Sequence, residues 1–265
     1  MNPFTQQAPI TGVKHIVAVG SGKGGVGKST VAVNLAMALQ KAGAKTGLLD
    51  ADIYGPSIPR MLGFSGALAV KPEVNEQNKI IPVPRFGVKT MSLGYLVDEG
   101  MAAVWRGPML FKAMDQFFRD VLWGELDYLI VDLPPGTGDV ALTVAQKVPV
   151  AGAIVVCTPQ NVALADAKKA IDMFERTNVP LLGVIENMAY LNGPGGEQIQ
   201  LFPKGELDAY LDLKKILKLG RIPFYPEIGV SAEAGVPLVE SHSGEAEAKV
   251  FSELAAQLEK LVPLQ

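Results

Sequence analysis

The sequence is poor in cysteine: its 265 residues include only Cys157. One cysteine excludes a disulfide within the chain. Cys157 also lies inside the apolar run 150–157, which is typical of a buried strand, and a buried cysteine behaves as a small apolar core residue. The chain therefore offers no pair of thiolates that could hold a metal or a cluster.

Long hydrophobic runs and an excess of positive charge are also missing. The apolar runs stop well short of the ~20 residues of a membrane span, and the amino terminus lacks the charged-then-apolar order of a signal peptide. The formal charge is −3 and the isoelectric point is near 5.5, which argues against a broadly basic nucleic-acid surface. We therefore expect a cytoplasmic protein without stable membrane insertion and without a nucleic-acid partner.

The residue composition is that of a globular protein, with 48% hydrophobic and 19% charged residues. Strand-like apolar runs alternate with helical patterns along it. This alternation predicts a doubly wound α/β fold, with a mostly parallel sheet covered by helices on both faces. The predicted elements cover residues 14–20, 28–42, 45–50, 126–132, 138–147, 150–156, 162–175 and 181–186.

The predicted organisation is a short tail over residues 1–13 and a single domain over residues 14–265. Prolines interrupt the pattern in residues 53–89, which we interpret as an irregular insertion with a short hairpin around residues 80–83. The segment 244–261 has one apolar stripe and balanced charges. This balance favours a helix packed on the domain over a helix that binds a membrane.

The most specific motif is GKGGVGKS at residues 22–29, which has the form GxxxxGK[ST]. It follows an apolar run and precedes a helical pattern, as a phosphate-binding loop does. Glycines let the backbone N–H groups turn toward a polyphosphate, while Lys28 contacts the β- and γ-phosphates and Ser29 binds Mg²⁺. The motif therefore predicts ATP and Mg²⁺ as cofactors. The predicted nucleotide-binding residues are Gly22, Lys23, Gly24, Gly25, Val26, Gly27, Lys28, Ser29 and Thr30.

Aspartates stand at the ends of two predicted strands. Asp132 ends an apolar run in the manner of a Walker B strand and is expected to approach Mg²⁺ through a water. Asp50 and Asp52 end a second strand. Strand-end carboxylates of doubly wound sheets lie at the ligand crevice, so these residues are candidates for the metal and the attacking water. For Asp50, capping of the following turn is an open alternative.

Lys23, directly after the first glycine of the loop, gives the deviant Walker A pattern KGGVGKST. Two longer strings restrict the resemblance to one type of ATPase. They are DADIYGPSIP at residues 50–59 and DLPPGTGD at residues 132–139. With these strings, residues 14 to about 240 resemble the Mrp/ApbC type of MinD/ParA-like ATPases. The resemblance implies an ATP-hydrolysing homodimer that binds iron–sulfur clusters and passes them to a protein client.

The same resemblance implies roles for the loop and strand-end residues. Lys23 would reach across the dimer to the partner's nucleotide, in the manner of an arginine finger. Asp50 would border the metal and Lys28, and Asp52 would orient the attacking water in the first switch. The second switch would contain Pro134 and Gly136.

The resemblance also implies a base site. Asn187 would read the adenine ring with its side-chain amide, which offers both a donor and an acceptor, and the backbone near Pro223 would close the pocket. Asn187 could equally cap a turn. Aromatic, arginine and methionine side chains are enriched at interface cores, although they are also ordinary fold residues. On this ground the candidates for a dimer or partner surface are Tyr54, Trp105, Arg106 and Met188.

The chain departs from the family at the cluster site. The family carries a CxxC shortly after an ENM motif, which is residues 186–188 here, and one such pair from each subunit would hold a bridging [4Fe–4S] cluster. This chain has no cysteine there, so its iron–sulfur ligands are predicted to be absent, although its residues 193–196, GPGG, suggest that the turn is kept.

Three functions are compatible with this pattern. The first is a Mrp-type ATPase that acts in cluster assembly or transfer through a partner that owns the cluster. The second is a MinD/ParA-like positioning ATPase acting on a membrane, DNA or a protein cargo, and the third is a P-loop kinase or synthetase. The strings at 50–59 and 132–139 favour the first.

Overall fold

The fold was analysed in a computed structural model that describes residues 7–52, 55–65, 69–96, 107–203 and 205–264, with the side chains of 107–111 left out. The strands in these ranges are β1 (Val13–Gly20), β2 (Thr46–Asp50), β3 (Val83–Arg85), β4 (Val88–Ser92), β5 (Leu126–Asp132), β6 (Val150–Cys157), β7 (Leu181–Asn187), β8 (Leu191–Asn192), β9 (Gln198–Ile199) and β10 (Lys218–Ile222). The helices are α1 (Lys28–Lys41), α2 (Ile58–Met61), α3 (Gly107–Arg119), α4 (Asp139–Lys147), α5 (Asn161–Arg176), α6 (Leu207–Lys214), α7 (Pro226–Glu233), α8 (Leu238–Ser241) and α9 (Ala246–Leu261).

Eight strands form one sheet in the order β10-β7-β6-β1-β5-β2-β4-β3. All neighbours are parallel except β3 and β4, which form an antiparallel hairpin at the edge. The predicted doubly wound α/β fold is confirmed. Because parallel strands end on the same side, the carboxyl ends of β1, β2, β4 and β5 converge on one crevice.

Alternate residues of the central strands supply two separate cores. In β1, Ala18 belongs to the core beneath α3, α4 and α5, whereas Val17 and Val19 belong to the core beneath α1 and α9. The side chains of Phe174 and Phe251 are fully buried, one in each core. This two-sided burial is why the central strands read as continuous apolar runs.

The helix α9 packs on the sheet layer, as its balanced charges predicted. Its apolar stripe is buried against α1 and β10, with Phe251, Leu254 and Leu258 among the buried residues. Within the described ranges, no helix is both long and apolar enough to cross a bilayer.

The hairpin lies a few residues beyond its predicted position. Its two-residue turn is formed by Phe86 and Gly87, both at positive φ, which suits the twist of the flanking strands. The second strand of the hairpin, β4, pairs with β2 in the main sheet. Within the segment predicted to be irregular, residues 83–89 are instead regular, since they form β3, the turn and the start of β4. The strand β4 could not be predicted from the sequence because its residues form no strong apolar run.

The described part of the amino-terminal segment, residues 7–12, contacts the helices beneath the sheet. Ile10 is buried, and the backbone N–H of Ala8 donates to the carbonyl of Lys147 at 3.1 Å. The guanidinium of Arg119 donates to the carbonyl of Ala8 at 3.1 Å.

Candidate functional site

The loop between β1 and α1 adopts a conformation that only glycine tolerates well. Gly25 and Gly27 have φ angles of 78° and 82°, a region that L-residues rarely enter. Gly22 has no room for a side chain, since a Cβ there would overlap the backbone of Asp166 in α5. The structure therefore places the predicted phosphate-binding loop directly before the first turn of α1, where backbone N–H groups and the helix dipole favour an anion.

Lys28, the lysine of this loop, reaches the Walker B strand. Its Nζ lies 2.5 Å from Oδ1 of Asp132 and 3.1 Å from Oγ of Ser29. The ion pair is buried, with side-chain exposures of 6% for Lys28 and 0% for Asp132. The structure thus brings Asp132 to the adjacent loop residues Lys28 and Ser29, although 104 residues separate it from Lys28 in the chain.

Three strand ends place a line of polar side chains across the crevice. Asp50 is the register partner of both Asp132 on β5 and Ser92 on β4. The Ser92 hydroxyl donates to Oδ2 of Asp50 at 3.0 Å, and the N–H of Asp52 donates to its Oδ1 at 3.0 Å. The N–H of Ile58 contacts Oδ2 at 3.3 Å. Both oxygens of Asp50 are therefore engaged by the protein.

Two buried acidic side chains of this line, Asp50 and Asp132, lie near a single lysine, Lys28. The pKa of Asp50 is raised to about 8, mainly by burial and then by the charge of Asp132, while Lys28 and the hydrogen bonds from Ser92 and from the N–H of Asp52 oppose the shift. Burial also raises the pKa of Asp132, against the opposing charge and hydrogen bond of Lys28. A second positive charge would relieve this excess of negative charge.

The donor set fits a hard divalent cation at Asp132 and Ser29. Oδ2 of Asp132 is buried and has no hydrogen-bond partner among the described residues, so it is an oxygen atom that could contact a cation. Carboxylate and hydroxyl oxygens are the ligands that Mg²⁺ prefers. Asp50, with both oxygens engaged, is better placed to support Asp132 than to contact the metal directly.

Both predicted switch segments contact the phosphate-binding loop or the strand ends. The N–H of Gly136 donates to the carbonyl of Ser21 at 2.8 Å, and the hydroxyl of Ser21 donates to the carbonyl of Lys23 at 2.9 Å. Pro134, two residues before Gly136, is buried. The N–H of Ala51 donates to the carbonyl of Asp132 at 2.8 Å, so the two switches begin at adjacent strands.

Asp52 and Lys23 lie at the rim of the crevice. Asp52 is half-buried, and its Oδ1 accepts a hydrogen bond from the N–H of Gly55 at 3.3 Å. Lys23 is also half-buried, and none of the carboxylates that the structure describes lies within ion-pair distance of it. Within the part of the chain that the structure describes, the ammonium group of Lys23 thus has no ion pair.

A cavity of about 220 Å³ opens beside the loop at the ends of β7 and β10. It has the predicted base-site residues Asn187 and Pro223 in its wall. The side-chain Nδ2 of Asn187 donates to the carbonyl of Val26 at 2.8 Å, a contact with the loop that the sequence did not predict. The cavity is lined by Gly27, Thr30, Val31, Asn187, Met188, Pro223, Phe224, Tyr225, Pro226, Ile228, Gly229 and Phe251.

Sequence reasoning missed Ser92 and Ser21. Ser92 ends β4, a strand that the sequence did not predict, so its place beside Asp50 became visible only in the strand register. Ser21 directly precedes the loop motif, and its position next to Gly22 was the available signal.

Of the proposed surface residues, Tyr54, Trp105 and Arg106 lie outside the described residues, and Met188 lines the base cavity with a φ of 52°.

The region of the missing CxxC forms a small hairpin. The strands β8 and β9 are joined by residues 193–197, and the N–H of Gly196 donates to the carbonyl of Gly193 at 2.9 Å. The predicted turn is therefore present.

Cys157 is buried in β6, and burial raises the pKa of its thiol to about 12, so it cannot replace the missing ligands. The described residues contain no group of three or more histidine, cysteine or acidic side chains that could hold a metal.

A phosphate-binding loop, a Walker B aspartate and a doubly wound parallel sheet define this chain as a P-loop NTPase. A model of the ParA group described as NUBPL iron-transfer P-loop NTPase matches residues 12–259. The chain belongs to this family.

Curated relatives and solved structures agree with this membership. The chain is similar to the iron–sulfur cluster carrier protein of Aquifex aeolicus, at 49% identity over 262 residues that cover 98% of this chain and 71% of the relative. It is 46% identical to the protein of the same description from Escherichia coli K12 over 250 residues, 94% of this chain and 67% of the relative.

Among solved structures, a nucleotide-binding protein from Archaeoglobus fulgidus in complex with ADP has a TM-score of 0.75 and 38% identity, covering 91% of this chain and 93% of that one. The cell division ATPase MinD of Pyrococcus furiosus has a TM-score of 0.70 at 24% identity, with coverages of 93% and 99%. The second likeness shows the fold alone.

Proposed function

We propose that this chain is an ATP-hydrolysing, dimeric nucleotide switch in iron–sulfur cluster assembly or transfer, and that the cluster is held by a partner or client protein. The observation that carries the proposal is the contact between Lys28 and Asp132 at the mouth of the phosphate-binding loop. That contact unites the phosphate-binding lysine with the metal-approaching aspartate, and a phosphoryl-transfer site needs both.

ATP would bind with its phosphates in the loop of residues 22–30. Lys28 would move from Asp132 to the β- and γ-phosphates, and the N–H groups at the start of α1 would donate to the phosphate oxygens. Ser29 and Asp132 would hold Mg²⁺, with Asp50 behind them. When bound, the cation neutralises charge that develops on the phosphate oxygens during transfer.

Hydrolysis requires a placed water and charge compensation. Asp52 lies two residues after the buried Asp50, which its own N–H contacts, and its carboxylate is half-buried at the crevice. We assign it the orientation of the attacking water. Lys23, with no ion-pair partner among the described residues of its own subunit, would stabilise the transferring phosphoryl group of the partner subunit.

The nucleotide state would be read out through the two switch segments. The second switch touches the loop through Gly136 and Ser21, and the first begins at Asp50 beside Asp132. Segments ordered by a γ-phosphate and released on hydrolysis are a recurring device for changing an interface. Loss of the γ-phosphate would therefore alter the surface that the dimer or its partner contacts.

The cluster itself does not fit this chain. Iron–sulfur clusters need thiolate ligands, and the one cysteine is buried with a raised thiol pKa. The relatives' description as cluster carriers supports a function in the same metabolism, and a cluster in transit would be coordinated by another protein. The alternative of a positioning ATPase has no support from a basic amphipathic helix, since α9 is packed against α1.

The proposal is tested by nucleotide-dependent assembly. The purified protein is examined by light scattering after size exclusion with ATP and Mg²⁺, with ADP, and without nucleotide, while phosphate release is followed in parallel. We expect ATP to give a dimer that hydrolyses it. A protein that binds ATP but neither hydrolyses it nor changes its assembly would contradict the switch.

A further inference from the structure

Asn187 connects the base cavity with the phosphate-binding loop. Its Nδ2 donates to the carbonyl of Val26 at 2.8 Å, and the side chain is 6% exposed. Because a backbone carbonyl only accepts hydrogen bonds, the amide atom that faces it must be the nitrogen. The orientation of the amide is thus set by the chemistry of its partner.

The contact between Asn187 and Val26 lies beside Gly27, the residue that directly precedes Lys28. A Cβ on Gly27 would overlap Nδ2 of Asn187, so the amide fills the space that the glycine leaves. Gly27 has a φ of 82° and is directly followed by Lys28, the first residue of α1. The amide therefore supports the backbone at the point where the loop turns into the helix.

The end of β7 that carries Asn187 is itself held in place. Asn187 is the register partner of Ile222 on β10, and the N–H of Ala189 donates to the carbonyl of Ile222 at 2.9 Å. Met188, between Asn187 and Ala189, has a φ of 52°, a conformation that costs an L-residue energy and persists only where the surrounding structure imposes it. Asn187 thus stands on a rigid strand end.

We infer that Asn187 is a positioning residue for the phosphate-binding loop, in addition to its place in the base cavity. Through Val26 and Gly27 it sets the direction of the loop N–H groups and of Lys28. Its Oδ1 and its second N–H are the atoms left for the base. This inference rests on nucleotide binding at the loop and is independent of the iron–sulfur part of the proposed function.

The test separates binding of the phosphates from binding of the base. Dissociation constants for ATP, GTP and inorganic tripolyphosphate are measured by competition for the parent, Asn187→Ala and Asn187→Leu. The leucine variant keeps nearly the shape of asparagine without a donor. We expect both variants to bind all three ligands about tenfold more weakly, because the buried Val26 carbonyl loses its donor and the loop loses its support.

A matched control is Phe224, which also lines the cavity of the base site. Phe224→Ala is expected to weaken ATP and GTP while tripolyphosphate binding stays at the parent value. Thermal denaturation without nucleotide identifies the variants that fold.

An Asn187 variant that folds like the parent and keeps the parent affinity for tripolyphosphate, whether or not it binds ATP and GTP more weakly, overturns the inference. A parent protein that binds no nucleotide would instead contradict the proposed function.

Discussion

Lys28 Nζ and Asp132 Oδ1 lie 2.5 Å apart at the base of the crevice, although 104 residues separate them in the chain. Beside them, Asp50 is buried and is the register partner of Asp132. One lysine thus lies near two buried acidic side chains, and the raised pKa of Asp50 keeps that side chain mostly protonated below about pH 8. ATP·Mg²⁺ would rearrange these contacts, because the phosphates attract Lys28 and the cation attracts Asp132.

Removing Lys28 should abolish nucleotide binding and also destabilise the nucleotide-free protein. Lys28→Ala leaves Asp132 buried without its counter-ion, and removal of one partner from a buried pair costs about 3 to 5 kcal/mol. Denaturant titration measures this loss. The double variant Lys28→Ala with Asp132→Asn should recover most of it, and a double variant as unstable as Lys28→Ala would show that the pair is not the cause.

Asp52→Ala should keep ATP affinity close to that of the parent and lower turnover by roughly a hundredfold or more, the contribution typical of a group that orients a proton or a water. Nucleotide titration and phosphate release measure the two effects separately. Asp52→Asn, which keeps the shape without the charge, is the matched control. Normal turnover in Asp52→Ala would remove Asp52 from the mechanism.

The action of Lys23 on the partner's nucleotide can be tested by mixing two inactive variants. Lys23→Ala keeps an intact nucleotide site but lacks the trans lysine, whereas Lys28→Ala supplies Lys23 but binds no nucleotide. In an equal mixture half of the dimers are mixed and each has one complete site, so about a quarter of the parent turnover should return. A mixture as inactive as its components would argue that Lys23 acts within its own subunit.

The stability of the nucleotide-free protein should fall as the pH rises from about 4 to about 8. The pKa of Asp50 is raised from 3.8 to about 8, so the folded state binds a proton more tightly than the unfolded chain. The associated stability is fully present below 3.8 and is lost as the pH passes about 8. The measurement is the denaturation midpoint against pH without Mg²⁺. Asp50→Asn should flatten this slope, and an unchanged slope would assign the titration to another group.

The parts of the candidate site that are formed by neighbouring residues could be predicted from the sequence. The place of residues 22–29 between a strand and a helix, and the place of Asp132 at the end of an apolar strand, depend on adjacent residues, so both could be predicted from spacing alone. The fold followed from the alternation of apolar runs. Each of these features depends on neighbours in the chain.

The contacts that depend on strand register could not be predicted. Ser92 reaches Asp50 only because β4 joins the main sheet beside β2, and Asn187 reaches Val26 across 161 residues. No periodicity in a single sequence gives the register between distant strands. For the same reason the sequence assigned Asn187 to the base and missed its contact with the loop.

The most direct test of a nucleotide switch without its own cluster is anaerobic iron–sulfur reconstitution of the purified protein and of Cys157→Ser, with ATP turnover measured on the same samples. We predict ATP hydrolysis in both proteins, and iron and sulfide far below one cluster per dimer. Stoichiometric iron and sulfide with cluster absorption in the parent would contradict the account. Loss of that cluster in Cys157→Ser would then identify Cys157 as the ligand.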